Sequence, residues 1–197
     1  MQQPTGRRSN RERTEATRAE LIAAARRLFT EKSYAETGTP EIVSAAGVTR
    51  GALYHHFSDK QALFRAVVEQ EAAAVADEIE NATPANLSAR RALLQGAEAF
   101  MAAMREPGRT RLLLLDGPAV LGRAEMDDID ARHSARTLRA GIAIAMREGE
   151  MKKLPLDAIT PLLSAAFDRA ALAVEAGACP DNHLRALAAL IDGLMAD

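Results

Sequence analysis

The chain has 197 residues, 48% hydrophobic, 26% charged and only 4% aromatic, which is globular rather than disordered and favours a helical protein with a real core. Its formal net charge is −2, yet the first sixty residues hold ten Lys and Arg against seven Asp and Glu, and the remainder fifteen against twenty. No apolar stretch reaches the length of a membrane span, Met1 to Arg13 lacks the apolar core of a secretory signal, and the single Cys179 has no disulfide partner, so we expect a cytoplasmic protein without membrane attachment.

Residues 1–13 form a basic arm, in which Arg7, Arg8, Arg11 and Arg13 are opposed only by Glu12. A positive end on an otherwise acidic protein suits a polyanion. Leu21, Ala25, Leu28 and Phe29 then share one helical face, with Thr17 and Glu20, or alternatively Thr14, as the start and an end near Lys32. Two short helices follow, Pro40 to Ala46 and Arg50 to His55, separated by Gly47. A long amphipathic helix from Asp59 to about Asn81 buries Phe64, Val68, Val75 and Ile79, with Ser58 and Gln61 as a candidate capping box. Asn81-Ala82-Thr83-Pro84 breaks it.

Beyond the break, a helix from Leu87 to Arg105 carries Leu93, Ala97, Phe100, Met101 and Met104, and Pro107-Gly108 ends it. The apolar run Leu112 to Leu115 has no second strand to pair with and reads as a short buried helix. One helix is predicted over Met126 to Glu148, before Gly149. Asp157 is placed as the N-cap of a helix to Glu175, and a last helix covers Asp181 to Met195. The fold class is all-α, about nine helices.

The chemistry concentrates in TGTPEIVSAAGVTRGALYHHFSDK, Thr37 to Lys60. Thr39 can cap the first short helix, with Pro40 at a position where the missing N–H costs nothing. Ile42 and Val43 point inward, Ala45 and Ala46 allow a close helix crossing, Gly47 supplies a positive φ, and Val48 fills the space beneath. Thr49 can cap the second helix, which turns Arg50, Gly51, Tyr54 and His55 outward and Leu53 and Phe57 inward. Two helices crossing through a short Gly-containing turn make a helix-turn-helix, whose second helix fits a major groove. An N-terminal Arg can pair with guanine there, and Gly51 permits close approach. Tyr54, His55 and Lys60 reach toward phosphates, as do the free N–H groups expected at the start of the long helix.

With those residues in place, Arg18 to Gln70 resembles the DNA-binding region of the tetracycline-repressor (TetR) family. Ala46-Gly47-Val48-Thr49-Arg50-Gly51-Ala52-Leu53-Tyr54-His55-His56-Phe57, followed by Lys60, is similar to its recognition signature almost position by position. The resemblance implies phosphate contacts from Thr39, Thr49, Tyr54, His55 and Lys60, and base or groove contacts from Arg50 and Gly51. It also implies a homodimer built on the last two helices and an effector pocket in the C-terminal half. Leu114-Leu115-Asp116-Gly117-Pro118-Ala119-Val120-Leu121-Gly122 resembles one subgroup. Departures are Ser33, where the family has Gly, Gly38 within its Thr-rich helix start, and Arg123 where an aromatic residue is expected.

The remaining polar groups have plainer readings. Adjacent His55 and His56 point about 100° apart and lack further ligands, so phosphate contact and packing replace a metal site. His133 and His183 read as solvated. Asp127, Asp128 and Asp130 read as a solvated helix start. Asp168 and Arg169 are either an exposed edge or a polar contact to a ligand or partner subunit. Phe100, Met101, Met104, Met146 and Phe167 are core residues that together form a candidate ligand pocket. Leu162, Leu163, Phe167, Ala170, Leu184, Leu187, Ala188, Ile191 and Leu194 are the candidate dimer interface.

The organisation expected is therefore an arm (1–13), a three-helix helix-turn-helix DNA-binding domain (14–60), and a ligand-binding and dimerisation domain (61–197) entered through the long helix. The function expected is a ligand-responsive repressor, dimeric on a palindromic operator in double-stranded DNA and released by a small-molecule effector. A ligand-independent regulator is the alternative. An all-helical carrier or enzyme is disfavoured, because no nucleophile–base pair, phosphate loop or cofactor motif is present.

Overall fold

Leu21, Ala25, Leu28 and Phe29 recur on one side of the first helix, and all four are buried. In a computed structural model, which describes residues 10–84 and 86–196, helix α1 runs from Asn10 to Lys32. Thr14 and Thr17 therefore lie within α1 rather than capping it. Arg7 and Arg8 of the basic arm lie outside the described residues. The chain divides into two units at Val68 and Glu69.

Unit 1 contains α1, α2 (Thr39–Ala45), α3 (Arg50–His56) and the first turns of α4 (Lys60–Ala82). Ser33 ends α1 at φ +93, a left-handed conformation, with its N–H bonded to Phe29 O at 3.0 Å. This explains why a Gly is familiar at that position. Buried Thr37 donates to Ser33 O at 2.7 Å and ties the turn shut. Phe64 packs edge-on against Phe29 and Tyr34, which are tilted to each other, with centroids 4.9–5.6 Å apart. Ile42 and Leu53 are completely buried beneath α2 and α3. Gly47 takes φ +65 between these helices, as its place in the turn requires.

Two caps differ from the sequence reading. Gly38, not Thr39, is the N-cap of α2, and no side chain caps that helix. Asp59, not Ser58, caps α4, its Oδ1 accepting from Ala62 N–H at 2.7 Å. A carboxylate already occupies that helix start, which disfavours the phosphate expected there. Thr49 does cap α3, its Oγ1 accepting from Ala52 N–H at 3.2 Å.

Unit 2 holds the rest of α4, then α5 (Ala89–Ala103), α6 (Arg109–Arg111), a π-helical turn (Leu112–Asp116) and α7 (Gly117–Leu121). It continues through α8 (Arg123–Arg132), α9 (Ser134–Glu148), α10 (Leu156–Glu175) and α11 (Pro180–Leu194). The described residues thus contain more helical segments than the nine expected. α5, α9, α10 and α11 pack together around Leu93, Ile142, Leu163, Phe167, Leu187 and Ile191. In the π-helical turn Leu112 and Leu113 are buried, whereas Leu115 faces solvent. A Cβ at Gly117 would lie 2.9 Å from Leu112 O and from Met126, so only glycine fits that close approach.

The single helix expected over Met126 to Glu148 is interrupted at His133, which has φ −121 and ψ −106. Two side chains explain the break. Asp130 Oδ1 accepts from Ala135 N–H at 3.2 Å, offering the backbone a local partner in place of the helical one. Glu69 of α4 engages both Arg132 and His133. Asp130 and His133 are therefore not solvated as their sequence setting suggested. Asp157 likewise sits in the first turn of α10, whose N-cap is Pro155. Among the described residues, no helix is long and apolar enough to cross a membrane.

Candidate functional site

In α3 the buried Leu53, with Phe57 just beyond the helix, fixes the rotation that leaves Arg50, Gly51, Tyr54 and His55 exposed. These side chains also organise one another. The Arg50 guanidinium lies 5.5 Å from the Tyr54 ring centroid. Hydrogen bonds from Thr39 and then Arg50 hold the Tyr54 phenol below its ordinary pKa. Thr39, the first residue of α2, is thereby brought to the same face, and Thr49 stands at the α3 N-terminus. The result is a small polar platform on a rigid apolar base.

Gly51 is in helix, and a Cβ there would meet only Thr49 Oγ1, at 3.9 Å. Nothing in the fold demands glycine at this position, although glycine costs a helix about 1 kcal/mol relative to Ala. Lys60 is placed otherwise than a phosphate ligand free in solvent. Its ammonium donates to the carbonyls of Tyr34 and Thr37 at 2.9 and 3.0 Å and lies 4.1 Å from the Tyr34 centroid. Two of its three hydrogens are used in holding the α1–α2 turn. His55 and His56 rings are 5.3 Å apart, edge to face. Burial, then the charges of His55 and Arg18, push the His56 pKa down, which favours a neutral packing residue.

Two cavities of unit 2 bear on ligand binding. The larger, of about 560 Å³, lies among α4, α5, α9 and α10, and Phe100 and Phe167 line it with ring centroids 5.9 Å apart. Small residues contribute to its lining, Ala92 and Gly96 on α5 and Ala140 and Gly141 on α9. The hydroxyls of Thr83, Thr137 and Ser164 in its wall each donate inward at 2.8 Å, to Ile79 O, Ser134 O and Asp130. Glu80 pairs with Arg136 at 2.8 Å. The smaller cavity, of about 290 Å³, shares Phe100 and Ser134 with the larger and adds Met104, Asp130 and Asp168. Of the five pocket candidates read from sequence, Phe100, Phe167 and Met104 line a cavity, whereas Met101 is packed in the core and Met146 lines neither. Sequence reasoning missed Ile79, Thr137 and Ile144 of the larger cavity. Thr137, Gly141 and Ile144 recur at i, i+4 and i+7, a pattern that could have exposed this face of α9.

The candidate interface residues separate into two sets. Leu163, Phe167, Ala170, Leu187 and Ile191 are buried inside the protomer. Leu184, Ala188 and Leu194 are half-buried, and Leu162 remains 67% exposed. Leu190, absent from the sequence reading, is 52% exposed on α11.

Comparison with known proteins covers both units. The family described as "Bacterial regulatory proteins, tetR family" matches residues 21–67, and "Tetracyclin repressor-like, C-terminal domain" matches residues 90–197. The chain is 42% identical over 62 residues to the HTH-type transcriptional regulator AcrR of Shigella flexneri, covering 32% of this chain and 29% of AcrR. The match thus spans under a third of that relative's length. It is 26% identical over 156 residues to the transposon Tn10 TetC protein of Escherichia coli, covering 79% of each. A crystal structure of a TetR-family transcriptional regulator from Pectobacterium atrosepticum superposes with a TM-score of 0.76 at 31% identity, over 96% of this chain and 99% of the other.

Proposed function

This chain belongs to the TetR family of bacterial regulatory proteins, and from that premise we propose that it is a ligand-responsive transcriptional repressor. Two protomers lay their α3 helices into successive major grooves of a palindromic operator. Arg50 reads a base edge, and Thr39, Thr49, Tyr54 and His55 hold the flanking phosphates. Lys60 keeps one N–H for a phosphate while its other two brace the turn. The observation that carries this reading is Gly51, a glycine in a helix that the protein's own packing does not require. Its use lies outside the chain, where a nucleic-acid backbone comes too close for a Cβ.

The dimer forms through the outward faces of α10 and α11, where Leu162 and Leu190 are exposed among Ala158, Ala165, Ala186 and Gly193. Leu163, Phe167, Leu187 and Ile191 support that face from within. The effector occupies the larger cavity, a volume that favours ligand response over the ligand-independent alternative. Because the hydroxyls of Thr83, Thr137 and Ser164 are spent internally and its charged groups are paired, it suits a mainly apolar molecule. Helix α4 carries Lys60 in its first turn and lines this cavity with Ile79 and Glu80 near its end. An effector seated there can bias the reading head through a continuous helix, by as much as its affinities for the two forms differ.

Selection of bound duplexes from random DNA tests the reading. A palindromic site whose affinity falls steeply with salt is the expected outcome. Arg50→Ala should cost about 1–3 kcal/mol and relax preference at one base position per half-site. Salt-insensitive binding without a preferred sequence would refute it.

A further inference from the structure

The smaller cavity of unit 2 has a different chemistry from the larger one. Its wall is mainly apolar, with Val75, Phe100, Met104, Leu113 and Ile129, but it also carries the carboxyl of Asp168 from α10. Among the described residues that carboxyl takes no hydrogen bond and no ion pair. Its neighbour Asp130 is otherwise committed, accepting from Ser164 Oγ at 2.8 Å and from Ala135 N–H at 3.2 Å. The charged groups facing Asp168 are Arg123, Asp127 and Asp130 on α8 and Arg169 beside it on α10; α4, α5 and the π-helical turn contribute none. Acids outnumber bases in this lining, and both arginines are exposed.

We propose that this cavity binds a small organic cation, a protonated amine carried on an apolar body, with Asp168 as its counter-charge. Asp168 is half-buried; a carboxylate partly withdrawn from water without a partner is costly, and an ammonium supplies both the charge and the N–H donors. The Phe100 ring offers a face to a cation, and the Met104 thioether adapts to the apolar body. An anion would meet three acids. Burial first, and Asp130 second, push the Asp168 pKa up to about 7. A bound cation would pull that carboxyl back to its ionised form and release a proton.

Calorimetric titration of the full-length, DNA-free protein with benzylamine, benzyl alcohol and benzoate tests the proposal. Benzylamine should bind at least about tenfold more tightly than benzyl alcohol, and benzoate more weakly than either. Benzylamine affinity should rise between about pH 6 and pH 8, as Asp168 ionises. In Asp168→Asn the preference for the amine over the alcohol should vanish. Equal affinities, a preference for benzoate, or an amine preference that survives Asp168→Asn would overturn it. Should that variant not fold, the pH dependence of the unaltered protein decides, and a flat profile overturns the proposal. Because no DNA is present, the result is independent of whether the chain reads an operator.

Discussion

The two units deal with polar groups in opposite ways. Among the described residues unit 1 fully buries no charged side chain, and its outer groups organise one another, Arg50 over Tyr54 and Tyr54 against Thr39. Unit 2 takes charge inside. Arg109 of α6 is buried and donates to Glu71 at 3.0 Å, Glu78 at 2.9 Å and the Ala103 carbonyl at 2.7 Å. The buried charged side chains among the described residues, Glu71 and Arg109, both belong to unit 2. The difference suits two tasks. The surface proposed to read DNA needs polar groups accessible and pre-positioned, whereas a helical body with cavities needs directional bonds where close packing is incomplete.

Arg109 offers the largest test of that contrast. Arg109→Met leaves Glu71 buried without its guanidinium, and we expect a loss of about 3–5 kcal/mol in urea unfolding. Replacing both partners with apolar residues, Arg109→Met with Glu71→Met, should recover much of it, since of the carboxylates paired with Arg109 only the half-exposed Glu78 then loses its partner. No comparable loss is expected from Arg50→Ala, because Arg50 is exposed.

Asp168 probes the same interior through pH. Its folded pKa is raised to about 7, so the native state holds a proton that the unfolded chain has already lost. Its contribution is therefore most favourable at low pH and is lost as pH rises toward and through about 7. Asp168→Asn should raise stability by about 1–2 kcal/mol at pH 8 and by little at pH 4, read as Tm against pH. A variant no more stable than its parent at high pH would show that the carboxyl is not confined.

These contrasts also decide what was legible in the chain. The helix-turn-helix rests on contacts between residues near in sequence, so Thr49, Gly47, Leu53 and Phe57 announce their roles through type and spacing alone. Arg109 and Glu71 meet across 38 positions. Nothing local distinguishes them from surface charges, and both went unread. Asp130 was misjudged for the same reason, because Ser164, which engages it, lies 34 residues away. The larger cavity is lined by small residues of both α5 and α9, a non-local coincidence that composition does not reveal. Within the dimer candidates, the period of α10 and α11 marked apolar helices but could not say which stripe each protomer keeps for itself.

Gly51 sharpens the other side of the comparison. Gly51→Ala should stabilise the fold by about 0.5–1 kcal/mol, since the helix gains and no atom is crowded. The same change should weaken operator binding. A stabilised protein with undiminished affinity in a duplex titration would remove the main support for the assigned reading head.

The smallest effect concerns Ser33, the only non-glycine residue with positive φ among those described. Left-handed backbone costs a side-chain-bearing residue about 1–2 kcal/mol, and glycine would relieve it. Against that, glycine adds about 0.4–1 kcal/mol of unfolded-state entropy, and Ser33 Oγ would no longer accept from Glu36 N–H, a long contact of 3.4 Å. The terms nearly cancel for Ser33→Gly, leaving a change within about 0.5 kcal/mol. They do not cancel for Ser33→Ala, which keeps the strain and loses the acceptor. Gly should therefore exceed Ala at this position by about 1 kcal/mol, the reverse of their order within a helix. If urea unfolding ranked Ala above Gly, the turn that seats Lys60 would not be held by backbone geometry, and the Thr37 and Lys60 hydrogen bonds would have to account for it.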